Sequence, residues 1–191
     1  RPRRVGREPR GLAGGVHAGG GRAMTTAMLV CGSYTLAGKK VPRRWLVALF
    51  AETDPSIVVT SEPRGPASWA DQLARDSGAQ LRRYAMDGRV LGDDPKEMWA
   101  NSPRPAAGTP RDEWEERHMD RNRAMIGYLG GLRPHCRVVV AVLRDSRLKT
   151  CESAIIAELA RLACFDVRES RWDARSGHAC AEAIERGAVE R

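Results

Sequence analysis

Long apolar runs are absent from this sequence, and none approaches the roughly 20 residues that a membrane-crossing helix needs. The first residues also lack the short apolar core and the small-residue cleavage site of a secretory signal. Five cysteines, an odd number with no CxxC pair, show no zinc-ribbon spacing and favour reduced thiols buried in a core. These absences predict a cytoplasmic protein with no membrane partner.

Several catalytic signatures are missing as well. There is no GxSxG elbow, no GxxxxGK phosphate loop, no HExxH zinc motif and no full GxGxxG after the first predicted strand. The four histidines are scattered along the chain, at His17, His118, His135 and His178. We therefore expect no metal site and no resident cofactor.

Basic charge is concentrated at the start of the chain. The net charge is +8, and residues 1–23 supply +5 of it through six arginines against Glu8. Because this segment is rich in Gly, Arg and Pro, it cannot bury enough apolar surface to order itself. We expect a disordered basic tail, with Met24 as the natural start. The alternative is an arginine-rich arm that binds phosphate backbones.

Short apolar runs alternate with longer amphipathic ones from Met28 onward, as strands and helices do. The clearest strand, Arg137 to Leu143, is apolar on both faces, as a central parallel strand requires. Strand-then-helix units imply right-handed crossovers. We predict an α/β fold, a Rossmann-like doubly wound sheet of about five parallel strands in three αβα layers. The predicted strands are 28–31, 57–60, 80–86, 137–143 and 165–169, and the predicted helices are 42–52, 66–78, 112–129, 150–163 and 178–187.

Residues 24–191 should therefore form a single domain. Its one long irregular stretch is 87–111, where glycine and proline recur. Loops of this length are uncommon in a compact domain, so the segment is either a functional lid or a mobile insertion.

Ligands of doubly wound sheets bind outside the carboxyl ends of the strands, where neighbouring connections leave in opposite directions. After the first strand, Gly32 lets the backbone approach a ligand and Ser33 offers a hydroxyl. Arg64 and Gly65 precede the helix that starts near Pro66, and a helix N-terminus suits an anion. A capped helix with a solvated arginine fits these residues equally well.

Later segments add further polar candidates. Arg121 and Asn122 lie in the third predicted helix, where buried polar side chains need partners or water. Arg144 and Thr150 are donors in the loop after the fourth strand, and Thr150 also suits a helix cap. Glu152 is the one carboxylate of the following first turn, where a purely structural role would be to complement the helix dipole.

Four stretches between about Met28 and Arg168 share an order and spacing with a known family: MLVCGSYT, TSEPRGPASWAD, HMDRNRAM and VVVAVLRDSRLKTCES. Together they resemble the YspA/YpsA-related branch of the SLOG superfamily, which also includes the LOG cytokinin-activating phosphoribohydrolases and the DNA-processing protein DprA. Members of that branch carry a GSR or GGR turn, a GGARGAD stretch, an RN pair and a glycine-rich GT turn. The chain departs from this pattern at Tyr34 for arginine, Ser61 and Glu62 for two glycines, Ser68 for aspartate, and Lys149 and Thr150 for the last turn.

The resemblance implies a pocket for a nucleotide or nucleotide-derived ligand, and the leading hypothesis is a protein that binds or senses one. Phosphate would be held by Arg64, Arg121 and the N–H groups of the turns. The residues expected to line the pocket are Gly32, Ser33, Arg64, Gly65, Arg121, Asn122 and Thr150.

Two alternatives remain open. In the phosphoribohydrolase relatives an arginine and a glutamate assist cleavage of an N-glycosidic bond, and Arg121 and Glu152 are the nearest counterparts here. The chain would then be a nucleotide N-glycosidase. DprA-like binding of nucleic acid through residues 1–23 is the second alternative. Since relatives of this fold often dimerise, a homo-oligomer is a further expectation.

Overall fold

A single mixed sheet organises the chain. The computed structural model describes residues 25–61, 65–92, 111–147, 152–173 and 175, with the backbone alone for 111–117. The described sheet has the strand order β4-β3-β2-β1-β5-β6, and all neighbours are parallel except β3 and β4. The strands are β1 (Thr25–Gly32), β2 (Ile57–Thr60), β3 (Gln80–Tyr84), β4 (Val90–Leu91), β5 (Cys136–Asp145) and β6 (Asp166–Trp172), and the helices are α1 (Lys40–Thr53), α2 (Pro66–Ser77), α3 (Arg111–Leu132) and α4 (Glu152–Leu162).

The centre of the sheet is buried on both faces. Successive residues of β5 point to opposite sides, as the pleat of a strand requires. Val140 and Val142 pack into an apolar cluster with residues of α3 and α4. Val139 and Leu143 pack into a second cluster with residues of α1 and α2. The residues of β5 are apolar at both odd and even positions because each face of the strand packs into one of these two cores.

The helices divide between the two faces in the same way, with α1 and α2 on one side and α3 and α4 on the other. The chain leaves β1 toward β2 through α1, whereas it leaves β5 toward β6 through α4. Adjacent strands β1 and β5 therefore send their connections in opposite directions. Their carboxyl ends form the topological switch point of the sheet, the place where sheets of this kind have their ligand-binding crevice.

The predicted fold class is confirmed, and all five predicted strands are present. The strand over Ile57–Thr60 has the predicted bounds, while β1 and β5 extend beyond theirs. One strand, β4, was not predicted. It lies inside the stretch 87–111, which was expected to be irregular, and it pairs antiparallel with β3. The predicted helix 178–187 and residues 93–110 lie outside the described residues. No described helix combines the length and the apolar character that a bilayer crossing requires.

Gly32 allows β1, β5 and α2 to approach closely at the carboxyl edge. A methyl group on its α-carbon would lie 2.6 Å from the carbonyl oxygen of Leu143 and 2.7 Å from Cγ of Pro66. The first of these neighbours is backbone held in the sheet, so it cannot move aside cheaply. Gly32 is required by packing between elements, whatever it contributes to a ligand.

We expect Gly32→Ala to lower the free energy of unfolding by roughly 1–3 kcal/mol, the usual cost of forcing atoms into a packed core. Gly130→Ala is the matched control, because Gly130 lies in α3 and nothing crowds its missing side chain. That control should gain up to about 1 kcal/mol from helix propensity. Urea unfolding measures both, and an unchanged midpoint for Gly32→Ala would contradict the packing role.

Candidate functional site at the carboxyl edge

A hydrogen-bonded chain of polar side chains joins the turn after β1 to the end of β5. Ser33 Oγ lies 2.8 Å from Thr35 Oγ1, which donates to Oδ2 of the buried Asp145 at 2.7 Å. Arg147 adds a bond from Nη2 to the same oxygen at 2.8 Å and one from its backbone N–H to Oδ1 at 3.1 Å. Because Thr35 donates to Asp145, Ser33 donates to Thr35. The β1 turn is thereby fastened across the switch point.

The ionised form of Asp145 is strongly favoured in this network. The hydrogen bond from the Arg147 guanidinium lowers the pKa of Asp145 well below its usual range, against burial, which raises it. The hydroxyl of Thr35 lowers the pKa further. The carboxylate is thus a permanent acceptor that orders the turn.

The N-terminus of α2 rests on the same turn. Gly65 has φ +54°, a backbone conformation suited to glycine, and a methyl group there would lie 2.9 Å from the α-carbon of Tyr34. Pro66 then occupies the first turn of α2, which carries no acidic residue. Buried Arg83 of β3 pairs with Asp71 and helps to hold α2 on the sheet. The N-terminal end of α2, the positive end of its dipole, therefore lies beside Tyr34.

Three charged or titratable side chains meet between α3 and α4. Arg121 is only 4% exposed, and its Nη2 donates both to Glu152 and toward the ring of His118. Nδ1 of His118 lies 2.9 Å from Arg121 Nη2 and 3.1 Å from Glu152 Oε2. That nitrogen accepts from Arg121 in one tautomer and donates to Glu152 in the other. The Glu152 side chain keeps 32% of its surface exposed, so the cluster opens to solvent through its carboxylate.

Two polar side chains with no exposed surface in the described part of the chain make no hydrogen bond, and the indole N–H of Trp172, which is 4% exposed, is unpaired as well. The first two are Asn122, whose Nδ2 and Oδ1 are both unpaired, and Thr60, whose hydroxyl is unpaired. Both side chains are fully buried. Asn122 lies one helical turn before Met125, so both residues share the sheet-facing side of α3. Because α3 ends just before β5 begins, the chain runs along α3 from the carboxyl edge of the sheet toward the opposite edge, and Asn122 lies nearer the carboxyl edge than Met125 does. Thr60 is the last residue of β2 at that same edge.

No family model, curated protein or solved structure matches this chain.

The predicted site residues fall into two groups at this edge. Gly32, Ser33 and Gly65 come together around the β1 turn. Arg121 of α3 and Glu152 of α4 contact each other, and Asn122 lies next to Arg121 on α3. Arg144 also lies at the end of β5, where its guanidinium is bound to Glu169 of β6 at 2.8 Å. Arg64 and Thr150, together with Glu62 and Lys149, lie outside the described residues.

Sequence reasoning missed Thr35, Thr60, His118 and Asp145. Thr60 and Asp145 carried a usable signal, since each is a polar residue at the carboxyl end of an apolar strand. His118 stands three residues before Arg121, a spacing that brings two side chains together on one helix. No local pattern marks Thr35, because its partner is 110 residues away.

Asp145→Asn should lower the free energy of unfolding at pH 7 by about 1–3 kcal/mol, since charge-assisted hydrogen bonds from Arg147 and Thr35 are weakened. The folded pKa lies below the unfolded value of about 3.9, so this stabilisation is fully present above that value, begins to decrease near it, and is lost only as the pH falls through the lower folded pKa. The difference between wild type and variant should therefore shrink between about pH 5 and pH 3.

Urea titrations across that pH range provide the measurement. Asp120→Asn is the control, because Asp120 is exposed and its ion pair with Arg123 is long at 3.6 Å. A gap between wild type and Asp145→Asn that stays constant down to pH 3 would show that the charge of Asp145 does not stabilise the turn.

Proposed function

We propose that this chain binds a nucleotide or nucleotide-derived ligand in the crevice at the carboxyl ends of β1 and β5. The observation that carries the proposal is Asn122, a fully buried amide with both polar atoms unpaired within the described residues. An unsatisfied buried polar group costs about 1–3 kcal/mol, so a partner is expected for it. An amide both donates and accepts, which matches a base edge or a ribose hydroxyl.

The charges around the crevice support one orientation of the ligand. The first turn of α2 has no acidic residue, and Arg64 precedes it in the sequence, so this helix end suits a phosphate. The first turn of α4 instead holds Glu152, which would repel one. We therefore place phosphate toward α2 and the sugar toward Glu152, with Arg121 neutralising the carboxylate.

Membership of the SLOG superfamily, in the YspA/YpsA-related branch, is part of this proposal. Its support is the agreement in order and spacing of the four stretches, together with the contact between Arg121 and Glu152 from the third and fourth of them. Tyr34, Ser61 and Glu62 replace family residues, so the ligand need not be the one that relatives bind.

Asn122→Leu tests the proposal because its two effects oppose each other. Replacing an orphaned buried amide with an apolar side chain of similar size should raise the free energy of unfolding of the free protein by roughly 1–2 kcal/mol. A nucleotide at 100 times its dissociation constant should stabilise wild type by about 2.7 kcal/mol, and the variant should lose this response. Thermal shift and urea unfolding with a panel of nucleotides and nucleotide sugars provide the readout.

Gly130→Ala is the control for stabilisation alone, since it should also raise stability yet keep the full ligand response. A variant Asn122→Leu that responds to ligand as wild type does would remove Asn122 from the site. If no compound of the panel stabilises wild type, the proposed function is wrong.

A second candidate function is hydrolysis of the N-glycosidic bond of a nucleotide. The observation that favours it is the partly exposed Glu152 carboxylate, held in place by Arg121 and His118. In the ionised form such a carboxylate stabilises positive charge on the sugar as the bond to the base breaks, or takes a proton from the attacking water. Arg121, buried behind it, would act as a positioning residue.

If this activity exists, Glu152→Gln should lower the rate of base release from nucleoside monophosphates at least about 100-fold, because the charge that assists the reaction is removed. Chromatography of the released base measures the rate. Glu158→Gln is the matched control, since Glu158 is an exposed glutamate on the same helix. Equal release by wild type and Glu152→Gln would exclude a catalytic role for Glu152.

A further inference from the structure

Tyr34 presents an aromatic ring to solvent at the switch point. The residue is 73% exposed, and every other aromatic residue whose side chain the structure describes is buried or half-buried. The remaining ones, such as Trp69, Tyr84 and Phe165, are packed in or against the two cores. Tyr34 therefore contributes little to the stability of the fold through its ring.

The backbone of Tyr34 is nevertheless tightly held. It begins a short 3-10 turn, Tyr34–Leu36, and its carbonyl accepts the N–H of Ala37 at 3.0 Å. The N–H of the preceding Ser33 donates to the carbonyl of Leu143 at 2.9 Å. Gly65 packs on the α-carbon of Tyr34, which puts the residue beside the start of α2. The ring thus projects from a fixed point next to the helix end proposed for phosphate.

Basic residues follow the Tyr34 turn closely along the chain. Lys39, Lys40, Arg43 and Arg44 occupy the start of α1, directly after the Tyr34 turn, and the first turn of α1 contains no acidic residue. The local field therefore favours an anionic ligand at the position where the ring is exposed.

We propose that Tyr34 stacks on the base of the bound ligand, so that the site takes a nucleotide with its base attached and discriminates against a plain sugar phosphate. This inference rests on the proposed binding function and specifies its ligand class. An aromatic face stacks on any base, so the contact selects for the presence of a planar ring more than for its identity. Phosphate at α2 and base on Tyr34 are compatible because both are neighbours of Gly65.

Calorimetric titration of the full chain with the four ribonucleoside 5′-monophosphates and with ribose 5-phosphate tests the inference. Wild type should bind nucleotides more tightly than ribose 5-phosphate. Tyr34→Ala should weaken nucleotide binding roughly 5- to 150-fold and leave ribose 5-phosphate binding unchanged. Tyr34→Phe keeps the ring and should match wild type within about twofold, whereas Tyr34→Leu keeps only the bulk and should behave as the alanine variant does.

The outcomes separate the two proposals. Nucleotide binding that is equal in wild type and Tyr34→Ala overturns stacking and leaves the binding function intact. Equal weakening of nucleotides and ribose 5-phosphate also overturns it, because that result indicates a disturbed turn. If wild type binds none of these compounds, the proposed function fails and the stacking inference fails with it.

Discussion

The parallel pairing of β1 with β5 is the constraint on which the rest of the structure depends. The two strands are in register from Thr25 opposite Cys136 to Gly32 opposite Leu143, and they lie at the middle of the sheet with a core on each face. At their carboxyl ends the pairing continues through the bond from Ser33 to Leu143 and the network around Asp145. The carboxyl ends of β1 and β5 are therefore firmly held together.

That rigidity changes the role of the glycines. The sequence pattern indicated that Gly32 and Gly65 let backbone approach a ligand, yet both are already required by contacts within the protein. Gly32 admits β5 and α2, and Gly65 admits the Tyr34 turn. The glycines bring β1, β5 and the start of α2 together at the carboxyl edge, and the polar side chains Arg121, Asn122 and Glu152 of α3 and α4 lie on the other face of the sheet. Buried polar groups of this kind are costly, which favours a functional reason for them.

Elements with strong apolar patterns were predictable from the sequence, and isolated long-range pairs were not. The strand Ile57–Thr60 lies between turn-forming residues and its first three residues are apolar, so its bounds were predicted correctly. The two-residue strand Val90–Leu91 has no periodicity to detect, and only its pairing with Arg83 and Tyr84 defines it. Arg121 and Glu152 were paired only through the family resemblance, because their contact depends on how α3 and α4 pack, which no local pattern encodes. No local pattern encodes the contact between Thr35 and Asp145 either.

The charge pattern of the last strand of the described sheet affects whether another strand can pair with it. β6 alternates acids and arginines, and Glu169 alone contacts Arg144, Arg161 and Arg171, while Asp166 contacts Arg137 and Arg168. Docking another strand along this margin would strip water from several guanidinium groups at once. These charges therefore oppose extension of the sheet into a fibre through β6.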